Sequence, residues 1–212
     1  MALSLTIVTL AAAALLGGLY VITEEPIQKQ KAEKQQKAIT SVLPQIEGIE
    51  IAEAQDVDGL TIYKAYVADS LVGAAVQTQE NGFGGAFKLM VGFDNEGNIV
   101  NYEVLEHQET PGLGDHMVTW FKTDKNHQSV IGRNPDSCNF NVSKGDGGGD
   151  IDAITAATIS SRAFLKAVQG AYDAYMKKPV DAQTSATALS ENAELHEVYP
   201  DDVEPVNNES HE

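Results

Sequence analysis

The sequence predicts an α+β fold in which an N-terminal transmembrane helix is followed by a single domain, an antiparallel sheet packed with helices. Three observations predict it. Residues 2–22 form an uncharged apolar run, residues 60–105 hold β-rich segments separated by turn signals, and residues 159–175 repeat apolar side chains at helical spacing. With 212 residues and 42% hydrophobic content, the chain suits one modest domain plus appendages.

The apolar run, ALSLTIVTLAAAALLGGLYVI, is 21 residues long. At ~1.5 Å per residue such a helix covers about 30 Å, the thickness of a bilayer's hydrocarbon core. A cleaved signal peptide has a basic start, a shorter apolar stretch and a small-residue exit. This run has no early Lys or Arg and leads into Tyr20-Val21-Ile22-Thr23-Glu24-Glu25, which favours a retained anchor. Tyr20 stands where an interfacial aromatic belongs, and no cysteine follows the run to carry a lipid. Lys29, Lys31, Lys34 and Lys37 all lie C-terminal to the span, so the positive-inside rule by itself places the rest of the chain in the cytoplasm. They belong to a polar stretch, residues 26–37, that reads as a helical connector beginning at Pro26.

The next elements are strands. Residues 60–67 and 71–78 are joined at Asp69-Ser70, and residues 87–93 form a third. Asp94-Asn-Glu-Gly-Asn98 is a turn signal that pairs this third strand with residues 98–105 in a hairpin, so a meandering sheet is expected. A short helix is expected over residues 116–122, around the single Trp120, and then a glycine-rich loop over 145–150. In the last element Ile159, Ala163, Phe164, Ala167, Val168, Ala171, Tyr172 and Tyr175 mark one apolar helix face. Lys177-Lys178-Pro179 ends it with dipole-matched cations and a breaker.

A net charge of −17 disfavours nucleic acid and anionic headgroups as partners. The acid is uneven. Residues 180–212 carry nine carboxylates and no Lys or Arg, so the remainder has −17 + 9 = −8. That segment lacks an apolar period and reads as a disordered tail, with docking on a basic partner as the other reading. The expected division is a transmembrane anchor over 1–23, a polar helical connector over 24–38, the main domain over 39–178 and an acidic tail over 179–212.

The chemistry-bearing stretch is Asp152-Ala-Ile-Thr155-Ala156-Ala157-Thr158, which runs from the glycine loop into the start of the last helix. A helix start offers unpaired N–H groups and a partial positive charge, so a phosphate on Thr158 would be stabilised there. Arg162, four residues on, shares that face and is within reach of such a phosphate. The plainer reading makes Asp152 and Thr155 capping residues and Thr158 a helix-start hydroxyl. No acid–base team is apparent. His107 and His116 are isolated, and Cys138 has no partner for a disulfide or an iron–sulfur cluster, so neither a catalytic residue nor a metal site is assigned.

The stretch from Asp152 to Thr158 resembles the Asp-x-x-Ser/Thr-Gly-Ala-Thr signature of the FMN-binding domain, with Ala156 where that signature has glycine. Glu109-Thr110-Pro111-Gly112-Leu113-Gly114 is similar to a segment of the same domain in the G subunit of the Rnf electron transport complex and in the C subunit of the sodium-pumping NADH:quinone reductase. Gly82-Phe83-Gly84-Gly85 resembles the family's Gly-Tyr-Gly-Gly. The compact size looks more like the Rnf protein. The resemblance implies FMN esterified through its phosphate to Thr158 by an external, Mg²⁺-dependent flavin transferase. It implies a domain outside the cytoplasmic membrane, against the lysine bias, and other membrane subunits as partners.

In that setting Asp152, Thr155, Ala156, Ala157 and Arg162 surround the attachment point, while Glu109, Thr110, Pro111, Gly112, Leu113 and Gly114 shape the flavin site. Pro111 fixes a backbone angle, the N–H groups of Gly112 and Gly114 can bond flavin oxygens, and Thr110 can donate a further hydrogen bond. A bare Pro-Gly turn is the plainer reading of that segment. Two other functions stay open: the equivalent quinone-reductase subunit, and an anchored surface module without a redox role.

Overall fold

A computed structural model describes residues 2–143 and 148–176. Part of the glycine loop, the expected cationic end of the last helix and the acidic tail lie outside the described residues. The described elements are a long helix α1 (Ala2–Val42), strands β1 (Glu50–Ile51), β2 (Gln55–Val57), β3 (Leu60–Val67), β4 (Ser70–Asn81), β5 (Ala86–Asp94) and β6 (Ile99–Glu106), two short 3-10 helices (Gly114–Val118 and Trp120–Lys122) and helix α2 (Thr158–Met176).

The sheet is an antiparallel meander in the order β1-β3-β4-β5-β6, with β2 also paired to β3. Ala68 and Asp69 both have positive φ between β3 and β4. That is the geometry of a two-residue hairpin turn whose twist matches its strands. The turn is thus Ala68-Asp69, and Ser70 opens β4 instead of belonging to the turn. Between β5 and β6 the Asp94 carboxylate accepts hydrogen bonds from the N–H groups of Glu96 and Asn98, which is why Asp94-Asn-Glu-Gly-Asn98 reverses the chain.

Helix α2 covers one face of the sheet. Phe164 stacks on Phe121 with centroids 4.3 Å apart and meets Tyr102 edge-on at 4.8 Å, while Phe93 contacts both Tyr172 and Tyr175. The Tyr102 hydroxyl donates to the Met117 carbonyl at 2.7 Å, so the most buried phenol is also satisfied. Burial raises the pKa of that phenol well above its usual value.

The opposite face is covered by the end of α1. Ala38, Ile39, Val42 and Leu43 pack on Ala65, Ala75, Met90 and Leu105. Gly92 on β5 makes this possible: a Cβ there would lie 1.8 Å from the Val42 carbonyl oxygen. Polar latches flank the seam. Lys31 pairs with Glu106 at 2.9 Å, Lys34 donates to the Leu105 carbonyl, and Gln35 donates to the Tyr63 hydroxyl at 2.8 Å. With both faces covered, β5 reads as a nearly unbroken buried run instead of alternating.

Three expectations change here. Pro26 does not begin a connector helix; it lies inside one continuous helix of 41 residues. Strong helix formers flank it, and the Ile22 carbonyl that loses its donor is in an exposed segment where other partners can serve it. The boundary at 38/39 therefore falls within a helix whose last turns belong to the domain's packing. Residues 114–122 form two 3-10 turns in place of one helix. Finally, Ile159 is 58% exposed, not part of the core face of α2.

Candidate functional site

The site lies where three backbone segments meet the start of α2. Thr110-Pro111-Gly112-Leu113 is a tight turn closed by the Leu113 N–H donating to the Thr110 carbonyl at 3.1 Å. Pro111 presets the second position and Gly112, with φ +78, supplies the left-handed third, which is the chemistry of a type II turn. The turn feeds directly into the first 3-10 helix and leaves Glu109 beneath it, only 5% exposed.

The second segment is the loop at residues 152–157. Asp152 braces it: its carboxylate accepts from the Ser143 hydroxyl at 2.7 Å and the His127 N–H at 3.3 Å, and its carbonyl accepts from the Trp120 indole at 2.9 Å. The chain then turns at Ala156, with φ +61, a left-handed conformation that glycine adopts freely and alanine adopts at a cost of about 1 kcal/mol. The helix is closed from inside instead of by Asp152 or Thr155. The Ser161 hydroxyl donates to the Ala157 carbonyl and accepts from the Ile154 N–H, both at 2.9 Å. Thr158 is therefore the first helical residue, and the N–H groups of this first turn have no intrahelical partners.

The third segment is the loop at residues 82–85. The Gly84 N–H donates to Glu109 at 3.2 Å, and Phe83 projects from this loop with 72% exposure.

Together these segments enclose a cleft of about 330 Å³. Glu109, Thr110, Leu113, Gly114, Ala156, Ala157 and Thr158, seven of the residues read from the sequence, line it. Pro111 and Gly112 shape the turn without lining the cleft, Asp152 acts as the brace, and Thr155 is an exposed loop residue. Arg162 lines a different hollow, with Thr78, Glu80 and Phe140, so the structure does not bring it into the cleft beside Thr158. Three lining residues were missed: Phe83, Ile159 and Ser160. Phe83 was visible as a large apolar side chain set among glycines. Ile159 fits the apolar periodicity of α2 and is masked by it.

The cleft combines the two surfaces a flavin nucleotide needs. Phe83, Leu113 and Ile159 stand exposed at its mouth, a cluster of large apolar side chains that suits a planar aromatic ring. The helix start beside the Thr158 hydroxyl suits a phosphate. A family model described as an FMN-binding domain matches residues 82–173, a range that includes every residue lining the cleft. The chain is 30% identical over 177 residues to the G subunit of the ion-translocating oxidoreductase complex of Methanosarcina acetivorans, across 80% of this chain and 90% of that protein. It is 33% identical over 175 residues to the corresponding G subunit of Vibrio vulnificus, across 72% of this chain and 79% of that protein.

This chain belongs to the family of G subunits of ion-translocating oxidoreductase complexes. A further member, from Yersinia pestis, is 40% identical over 114 residues, 52% of this chain and 53% of that protein. The matched FMN-binding range begins at the loop carrying Phe83 and ends within α2, so it takes in β5, β6 and the cleft.

Proposed function

We propose that this chain is the membrane-anchored flavoprotein subunit of an Rnf-type, ion-translocating ferredoxin:NAD⁺ oxidoreductase, with FMN joined to Thr158 by a phosphoester. The observation that carries this reading is the position of Thr158: its hydroxyl opens α2 at the edge of a cleft with an apolar mouth. The bound flavin supplies the electron-carrying chemistry, and the protein supplies position, hydrogen bonds and exclusion of solvent.

In this reading Thr158 carries the flavin through its phosphate, and the first N–H groups of α2 stabilise the phosphate charge. Phe83, Leu113 and Ile159 flank the ring. Glu109, Gly114 and Ser160 form the inner wall, Thr110 offers a hydroxyl at the rim, and Ala156 and Ala157 keep the attachment loop slim. Pro111 and Gly112 set the turn, and Asp152 holds the loop to the body of the domain. A threonine hydroxyl is a weak nucleophile at neutral pH, so attachment is assigned to an external Mg²⁺-dependent flavin transferase acting on FAD.

The membrane reading rests on α1, which over Leu5–Val42 is long and apolar enough to cross a bilayer, with its apolar window wholly unburied. In this reading the chain divides into an anchor over 1–23, a helical connector over 24–38 whose last turns dock on the sheet, the domain over 39–178 and an acidic tail over 179–212. We place the domain on the extracytoplasmic side, as a single-pass protein among other membrane subunits. Lys31 and Lys34 engage Glu106 and the Leu105 carbonyl, so these two cations have a packing role that does not depend on topology.

Coexpression with a flavin transferase, followed by denaturing electrophoresis, tests the proposal. The wild-type band is expected to fluoresce as flavin and Thr158→Ala to be dark. A dark wild-type band would overturn it.

A further inference from the structure

Glu109 is the one carboxylate among the described residues that line the cleft, and three glycines crowd around its segment. A Cβ built at Gly82 would lie 1.8 Å from its Oε1, and one at Gly114 would lie 2.3 Å from its Oε2; one at Gly84 would meet the Gln108 carbonyl oxygen at 2.3 Å. Oε2 accepts from the Ser160 hydroxyl at 2.9 Å and from the Gly84 N–H at 3.2 Å. Oε1 is buried and has no hydrogen-bond partner among the described residues. One carboxyl group thus touches all three walls: the Phe83 loop through Gly82 and Gly84, the turn through Gly114, and the first turn of α2 through Ser160.

A buried carboxylate with an unpartnered oxygen is costly, so packing alone does not account for it. Leucine or methionine would fill the same volume without burying a carboxyl oxygen. Neither would bond Gly84 and Ser160, and neither would register two loops against a helix.

We infer that Glu109 is a positioning residue that sets the separation of the ring-binding loop at Phe83 from the attachment turn at Thr158, and so fixes the angle at which the flavin is held. This inference rests on the flavin reading of the cleft. Glu109 acts through Gly84 and Ser160: losing it leaves the flavin tethered at Thr158 and its ring free to rotate.

The test has two arms. In flavin-free protein, Gly82→Ala forces a methyl against the carboxylate and is expected to lower the unfolding midpoint by roughly 5 °C or more. In a Glu109→Ala background that methyl has room, so the loss is expected to shrink below half. An equal loss in both backgrounds overturns the inference. In flavinylated protein, the visible circular dichroism per covalently bound flavin is read for Glu109→Met and Glu109→Gln.

Methionine keeps the volume and loses the hydrogen bonds, so the signal is expected to fall by more than half; glutamine, which keeps an acceptor, is expected to recover part of it. An unchanged signal in Glu109→Met contradicts a positioning role. Should Glu109→Met not fold, Ser160→Ala removes a single donor and is expected to lower the signal in the same direction, and no change there would overturn the inference. If wild-type protein carries no covalent flavin, the flavin reading fails while the stability cycle still decides the brace.

Discussion

The two faces of the sheet are built by opposite means. The face under α2 is aromatic: Phe164, Phe121, Tyr102, Phe93, Tyr172 and Tyr175 interlock there, and the cleft stands at the end of that helix. The face under α1 is aliphatic: Ile39, Val42, Leu43, Met90 and Leu105 pack there with Ala38, Ala65 and Ala75, closed by an approach to Gly92 and by latches at the rim. Large rings bury much area and fix orientation, so the first face carries the stability of the domain and the shape of its site. Under α1, Gly92 and the alanines allow the backbones to approach closely, and that buried cluster is the smaller of the two. The second face thus joins a long apolar helix to a domain already held together from the other side.

The strongest break in this contrast is Phe164→Ala. It removes a ring packed on two others, with an expected cost of about 3–5 kcal/mol. Thermal unfolding followed by near-ultraviolet circular dichroism should show the domain lost or deeply destabilised. Leu43→Ala, on the other face, is expected to cost about 2–3 kcal/mol and to leave the cleft intact. Limited proteolysis should then cut between α1 and β1 while the flavin content of the domain is retained; loss of flavin in step with release of α1 would show that the faces are not separable. Ala156→Gly sharpens the account of the loop before α2. Relief of the left-handed alanine is expected to raise stability by about 0.5–1 kcal/mol, read as an unfolding midpoint about 2–4 °C higher.

The smallest effect is that of acid. The Lys31 hydrogen bond holds the Glu106 carboxyl below its usual value of 4.5, and the Lys166 hydrogen bond does the same for Glu80. Each lowered carboxylate contributes stability that is present above the unfolded value and is lost as pH falls through the folded one. Glu106 ties α1 to the sheet and Glu80 ties α2 to it. Because α2 keeps its aromatic packing, α1 should loosen first below pH 4.5, as seen by hydrogen exchange at residues 31–43, with Glu106→Gln abolishing the difference.

The contrast between faces also explains what could be read in advance. Strands β3 to β6 announce themselves through β-branched and aromatic runs bounded by turn residues, and α2 through its apolar period. Strands β1 and β2 span two and three residues, too short for any period. The docking of α1 was hidden because Lys29, Lys31, Lys34 and Lys37 dominate the stretch, and the stripe of Ala38, Ile39, Val42 and Leu43 appears only in its last turns.

At the site, the motifs name the three segments that the structure brings together around the cleft, since glycine, proline and aspartate at loop positions reflect backbone geometry that sequence records. Side-chain direction is recorded less well. Helical spacing put Arg162 on the face of Thr158, yet it lines another hollow; the same spacing put Ile159 in the core, yet it stands at the mouth of the cleft. The residue missing from the attachment signature turned out to be informative. Ala156 occupies the left-handed position, which is a physical reason for the family's glycine there.

The most direct test of the central claim is peptide mass spectrometry of protein matured with a flavin transferase. The tryptic peptide that ends at Arg162 should gain the mass of FMN less one water, with fragmentation placing the addition on Thr158. An unmodified Thr158 in that matured protein, or flavin attached to any other residue, would contradict the account.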